Sequence, residues 1–131
     1  MIVSIKKIVN SLPQYLQNRL PKSIKIIKIS HSESRRLNHV YRKKKQPTNV
    51  LSFSYGSDYG EILVCLQIIR QEARKQGNFY QYQMTWMILH GMIHLAGLHH
   101  ESSRRLAKQV EQLETMVLSR LASKKNSKSK V

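Results

Sequence analysis

Three histidines that lie close together in the chain, His90, His94 and His100, have the spacing needed to bind a metal ion. Two imidazoles four residues apart lie on one face of a helix, one turn from each other. Gly97 offers a place to end that helix, because glycine adopts a left-handed conformation without steric cost. The chain can then bring the third imidazole back towards the first two. Three neutral histidines that leave a fourth position open are typical of catalytic zinc sites, so the sequence predicts one zinc ion per chain, held by these three residues.

The stretch that carries the first two histidines is apolar at most of its other positions, which predicts a buried helix over residues 82–96. The alternative is a pair of core histidines that are hydrogen-bonded to backbone carbonyls. The same spacing occurs in metzincin proteases, where a glutamate directly after the first histidine is the general base. This chain has Gly91 in that place, and glycine cannot transfer a proton. A zinc protease is therefore disfavoured, and another chemistry that activates water is favoured.

Three stretches together resemble the YbeY family of bacterial metal-dependent endoribonucleases. They are HGMIHLAGLHH at residues 90–100, LNHVYRKK followed by PTNVLSF within residues 37–53, and GEILVC at residues 60–65, and their order also matches. The resemblance implies zinc-dependent cleavage of single-stranded RNA, in 16S ribosomal RNA maturation (3′-end processing) and ribosome quality control. It also implies the small ribosomal subunit as partner, without DNA specificity. The family usually has aspartate where this chain has His99, whose role as a proton shuttle, a partner of a metal ligand or an exposed residue stays open.

The basic run at residues 42–45 is the candidate RNA-binding segment. The guanidinium fork of Arg42 fits a phosphate in bidentate fashion, and the resemblance implies that this arginine is a functional residue of the cleft. Arg42 is therefore the candidate catalytic residue as well as a substrate-binding one. Lys43, Lys44 and Lys45 would follow the RNA backbone. The alternative is that all four side chains form an ordinary solvated basic surface.

The charge of the whole chain points to the same class of partner. It carries 23 Lys and Arg against 7 Asp and Glu, a formal net charge of +16, which favours binding to polyanions, chiefly nucleic acid. The alternative is a genome whose composition simply favours lysine. Two functions remain: a zinc-dependent endoribonuclease, and an RNA- or ribosome-binding assembly factor whose metal site is structural or weakly active.

The pattern of the chain predicts one α+β domain over residues 1–122, with a small mixed β-sheet packed with helices and a zincin-like histidine helix followed by a turn. Helices are predicted over residues 12–20, 32–42, 68–76, 82–96 and 106–121, and strands over 24–29, 48–55 and 62–66, the last of them central. Residues 123–131 are rich in lysine and serine and are expected to be a disordered basic tail. A single cysteine, Cys65, and no predicted signal peptide or membrane span favour the cytoplasm.

Overall fold

The computed structural model describes residues 4–129, without the side chains of His100 and of residues 123–129. In chain order its elements are α1 (Ile5–Ser11), α2 (Gln14–Gln17), β1 (Ser23–Ile29), α3 (His31–Arg42), β2 (Val50–Ser54), β3 (Tyr59–Cys65), α4 (Leu66–Gln76), α5 (Tyr80–Leu95), a 3₁₀ turn (His100–Ser102) and α6 (Arg104–Ser129). Among the described residues, no helix is both long enough and apolar enough to cross a membrane.

The sheet has three strands in the order β1-β3-β2, and β3 is its central strand. It runs parallel to β1 and antiparallel to β2. The α+β class with a small mixed sheet is therefore confirmed. The strand predicted over residues 62–66 is indeed central, but it ends at Cys65, and Leu66 begins α4. An apolar run suits this place because a central strand of a covered sheet is buried on both faces.

Helix α5 packs against β2 and β3 at very short distance, and Gly91 makes this possible. A Cβ atom at residue 91 would lie 2.8 Å from Ile62 Cγ2 and 3.0 Å from Ser52 Oγ. Ser52 Oγ donates a hydrogen bond to the Gly91 carbonyl at 3.1 Å, which fastens the helix to the sheet. Gly91, which stands where a metzincin protease has its catalytic glutamate, is therefore required here by helix–sheet packing.

The start of the chain differs from its prediction. The helix predicted over residues 12–20 is wrong in extent: α1 ends at Ser11, Leu12 and Pro13 are extended, and α2 is only four residues long. The cause is Pro13, because a proline disfavours the helical conformation of the residue before it. Ser4 caps α1 by accepting a hydrogen bond from the Lys7 amide at 3.2 Å, a signal that the sequence analysis did not use.

The end of the chain also differs. The backbone of α6 continues as a helix through Ser129, into the segment predicted to be a disordered tail. No glycine or proline follows Gly97 in the sequence, so no strong helix-ending residue interrupts α6. Residues 130–131 lie outside the described part of the chain, and the domain boundary after residue 122 stays a prediction.

Helix α3 is present as predicted, but it buries a different face. Leu37, Val40 and Tyr41 have the spacing of an apolar stripe, yet Val40 is 57% exposed and Tyr41 is 62% exposed. The side chains that α3 buries are the polar ones of Ser34 and Asn38. Hydrophobic spacing therefore locates this helix but does not identify the face that it buries.

Candidate active site

A cleft of about 740 Å³ is lined by residues from α3 and the loop after it, from β2, and from α4 and α5. Two of the three predicted metal ligands line it, together with two cations of the basic run. The charged and imidazole side chains along this part of the lining are those of Arg42, Lys44, His90, His94, His99 and Glu101. The structure therefore brings the histidine helix and the basic segment to one cleft, although they are almost fifty residues apart in the chain.

His90 and His94 lie one turn apart on α5, with ring centroids 4.6 Å from each other. The His99 ring lies 5.3 Å from that of His94, and Glu101 Oε1 lies 4.0 Å from His94 Nε2. The chain turns back after α5 at Gly97, whose φ of +95° is one that glycine adopts easily. The predicted third ligand, His100, has its side chain outside the described part of the structure, so its role stays a prediction.

A buried carboxylate holds His90 in place. Glu114 Oε2 lies 2.5 Å from His90 Nδ1, and Glu114 Oε1 accepts a hydrogen bond from Trp86 Nε1 at 3.0 Å. Donation from Nδ1 places the proton of a neutral imidazole on that nitrogen, so Nε2 carries the lone pair that a metal ion would need. Metal-ligating histidines are typically oriented by such a carboxylate.

Glu114 was not among the site residues predicted from the sequence. A signal for it exists, because Glu114 lies among the buried residues Val110, Leu113 and Val117 of α6, and a carboxylate on a buried stripe is rarely left without a partner. Trp86 lies in the stretch that was predicted to form a buried helix over residues 82–96. It is only partly buried, lines the cleft and donates to Glu114.

The donor set fits a zinc ion as far as the structure describes it. In the described part of the chain, no group of three or more His, Cys, Asp or Glu side chains has the geometry of a metal site, and the His100 side chain is not included there. Two imidazoles that share one helix face, one of them oriented by a buried carboxylate, suit the nitrogen preference of zinc. His90 and His94 are the described residues that would hold the metal.

The predicted RNA-binding residues separate into two groups. Arg42 and Lys44 line the cleft. Lys43 adopts a left-handed conformation with φ 57° and ends α3, while Lys45 lines a different surface depression together with Arg35. The left-handed residue changes the direction of the chain, which distributes consecutive cations over two surfaces.

The loop that follows α3 is fastened to that helix by its buried polar side chains. Asn38 Nδ2 donates to the Gln46 carbonyl at 2.7 Å. Ser34 Oγ donates to the Thr48 carbonyl at 2.7 Å and accepts from the Thr48 amide at 2.9 Å. Buried hydrogen bonds of this kind are costly to break, so the segment that carries Lys44 is held against α3.

Polar side chains from α4 and α5 form another part of the cleft wall. Asn49 Nδ2 donates to Glu72 Oε1 at 2.9 Å. Gln83 is almost fully buried and donates from Nε2 to Gln76 Oε1 at 3.2 Å. All four residues line the cleft. None of them was predicted as a site residue, because a single polar side chain carries no periodic signal.

Two further carboxylates are engaged by neighbours. Glu61 accepts hydrogen bonds from the hydroxyls of Tyr55 at 3.1 Å and Tyr59 at 2.8 Å, and these bonds raise the pKa of both tyrosines. Arg36 donates to both carboxylate oxygens of Glu33 and lowers the pKa of that glutamate. Both phenols are therefore neutral hydrogen-bond donors at neutral pH, and the charge of Arg36 is offset locally.

The family model of Endoribonuclease YbeY matches residues 2–122. The chain belongs to the Endoribonuclease YbeY family. The Endoribonuclease YbeY of Bordetella petrii is 38% identical over 95 residues, which cover 69% of this chain and 61% of that protein. The Endoribonuclease YbeY of Acinetobacter baylyi is 31% identical over 128 residues, which cover 89% of this chain and 80% of that protein. The predicted family resemblance is confirmed.

The extent of the match varies among relatives. The chain spans less than two thirds of the length of some relatives. The match covers 61% of the Bordetella petrii protein, and it covers 56% of the Endoribonuclease YbeY of Burkholderia ambifaria, which is 35% identical. A solution structure of a Thermotoga maritima protein has a similar fold. It superposes with a TM-score of 0.58 at 24% identity and covers 92% of this chain and 85% of that one.

Proposed function

We propose that this member of the YbeY family is a zinc-dependent endoribonuclease that cleaves single-stranded RNA. We propose that it acts in the cytoplasm on the small ribosomal subunit, in maturation of the 3′ end of 16S ribosomal RNA and in ribosome quality control. The observation that carries the proposal is the meeting of His90 and His94 with Arg42 and Lys44 in one cleft. Metal ligands and phosphate-binding cations in the same cleft suit the hydrolysis of a phosphodiester.

Each residue of the site has its own role in the proposed reaction. His90, His94 and His100 would hold the zinc ion, which when bound activates water and polarises a phosphoryl oxygen. Arg42 binds the phosphate and offsets the negative charge that grows in the transition state. Lys44 attracts the RNA backbone into the cleft. Glu114 keeps the His90 ring in the orientation and tautomer suited to a metal ligand.

A second candidate function is an RNA- or ribosome-binding assembly factor without strong catalytic activity. It is favoured by His99, which lines the cleft where the family usually has an aspartate. It shares the basic surface and the RNA partner with the first function and differs from it only in turnover. Cleavage measurements therefore separate the two.

The first test concerns the metal. His94→Ala should lose most of the bound zinc, measured by elemental analysis, and should lose zinc-dependent cleavage of a labelled single-stranded RNA. The control is His39→Ala, because His39 is exposed on α3 and does not line the cleft. Full retention of zinc by His94→Ala would exclude His94 as a ligand. Zinc-loaded wild type that binds RNA but cleaves none would leave the assembly factor as the better function.

The second test concerns Arg42. Arg42→Ala should reduce turnover at saturating RNA by more than it weakens binding, because a contact to the reacting phosphate contributes most in the transition state. The control is Arg35→Ala, since Arg35 lies on the same helix but lines another depression. Weaker binding with unchanged turnover at saturation would make Arg42 an ordinary backbone contact.

A further inference from the structure

An aromatic pair lines the cleft beside Arg42. Tyr41 lies in the last turn of α3 and Phe53 lies on β2, with ring centroids 5.0 Å apart and ring planes inclined by 62°. Both residues line the same cleft as His90 and His94. Tyr41 is 62% exposed, whereas Phe53 is partly buried. An aromatic side chain is therefore presented to solvent next to the cations that are proposed to bind phosphate.

Packing within the protein does not account for this exposed ring. The edge-to-face contact with Phe53 restricts the orientation of Tyr41, and such pairs are a favoured geometry of two aromatic rings. Most of the Tyr41 side chain nevertheless remains in water. The Tyr41 hydroxyl has no hydrogen-bond partner among the described residues, in contrast to the hydroxyls of Tyr55 and Tyr59. What Tyr41 offers the cleft is thus an oriented π surface.

We propose that Tyr41 and Phe53 form a subsite for one unpaired nucleobase of the RNA. The base stacks on the Tyr41 ring, Phe53 supports that ring from the sheet, and Arg42 binds an adjoining phosphate of the same strand. Aromatic side chains beside a cationic groove are how proteins commonly hold single-stranded nucleic acid, since every base has a π face. Bases in a duplex are already stacked between neighbours, so this subsite selects single strands. The inference rests on the proposed RNA substrate and adds the element that recognises it.

The test compares ring-retaining and ring-lacking variants of the full-length protein. Binding to a short single-stranded RNA that contains 2-aminopurine is measured at 4 °C, with the RNA verified intact afterwards by gel electrophoresis. Tyr41→Leu should weaken binding by about 5- to 150-fold, the range expected for loss of one base–aromatic stack. Tyr41→Phe should bind nearly as wild type, because it keeps the ring. Wild type and Tyr41→Phe should quench the 2-aminopurine fluorescence, and Tyr41→Leu should not.

Matched controls separate stacking from other causes. Tyr15→Leu removes a tyrosine that is 57% exposed on α2 and should bind RNA as wild type. An oligonucleotide of equal length with abasic residues should bind wild type and Tyr41→Leu alike, and so should an RNA duplex. Tyr41→Gln, a second variant without a ring, should behave as Tyr41→Leu does. Circular dichroism melting curves verify that all variants are folded.

The results that would overturn the subsite are specific. One is wild-type affinity of Tyr41→Leu for the base-containing strand. Another is an equal loss of affinity for the abasic strand, which would assign the effect to structure or charge. Cleavage by zinc-loaded protein is scored separately. If the protein shows the stacking pattern but does not cleave RNA, the subsite proposal stands and the nuclease proposal fails. If it cleaves RNA and Tyr41→Leu has no effect on binding, only the subsite proposal fails.

Discussion

The most informative single residue is Glu114, because it uses both carboxylate oxygens in different contacts. One oxygen lies 2.5 Å from His90 Nδ1 and the other accepts from Trp86 Nε1 at 3.0 Å. A buried carboxylate is costly unless its lone pairs are satisfied, and these two donors satisfy it. Glu114 thereby connects α6 to the histidine helix at the point where a metal ligand must be oriented.

Glu114→Gln should weaken zinc binding by about 10- to 100-fold, the usual cost of losing a partner that orients a metal ligand. In glutamine an amide nitrogen, which only donates, replaces one of the two acceptor oxygens, so the contact to either Trp86 or His90 loses its acceptor. Competition with a chelator of known affinity measures the change. The control is Glu111→Gln, one turn earlier on the exposed side of α6, which should keep wild-type affinity. Equal zinc affinity of Glu114→Gln and wild type would mean that His90 needs no carboxylate.

At the scale of elements, the site depends on how closely α5 approaches the sheet. The face of α5 that carries His90 and His94 lines the cleft, while Gly91 lies against Ile62 and Ser52. The close approach of α5 to the sheet therefore also sets where the two imidazoles lie in the cleft. A larger residue at position 91 would disturb packing and site together.

Gly91→Ala should destabilise the fold by about 1–3 kcal/mol, the usual cost of overpacking a close contact. Alanine favours a helix over glycine by about 1 kcal/mol. The sign of the measured change in stability therefore shows whether overpacking or helix propensity dominates. Urea denaturation with an unchanged m-value gives the free energy of unfolding. Gln81→Ala, at an exposed position of the same helix, is the control and should be neutral or slightly stabilising. A more stable Gly91→Ala protein would show that the contact relaxes freely.

At the scale of the whole molecule, the positive charges should contribute unequally to RNA binding. The formal net charge of +16 attracts RNA to the entire surface. Only Arg42 and Lys44 of the basic run line the cleft, whereas the lysines of β1 are exposed on an edge strand. Removal of cations that contact RNA should therefore change the salt dependence of RNA affinity more than removal of the same number of distant cations.

Replacement of Lys43, Lys44 and Lys45 by glutamine should reduce the slope of log affinity against log salt by up to about 2, since each contact to a single strand contributes about 0.7. The control replaces Lys25, Lys28 and Lys108, which are exposed and outside the cleft, and lowers the net charge equally. Its slope should change less. Fluorescence anisotropy across a salt series measures both. Equal slopes for the two triple variants would mean that the basic run has no privileged contact with RNA.

Features that depend on local stereochemistry were predictable from the sequence. The spacing of His90 and His94 places them on one helix face, and Gly97 provides the turn after it, with φ +95° in the structure. The apolar run at residues 62–66 indicated the central strand, and the order of motifs indicated the YbeY family. These signals need no knowledge of what packs against them.

Features that depend on contacts between distant segments were decided only by the tertiary structure. Glu114 contacts His90, which lies 24 residues earlier in the sequence, and the local sequence of α6 does not predict that partner. Ser34 and Asn38 are buried by the loop they bind, which leaves Tyr41 exposed against the hydrophobic pattern of α3. The sequence by itself determined which side chains could do chemistry. Packing decided which of them meet, because a side chain's environment is set by whatever the fold places beside it, and periodicity does not contain that information.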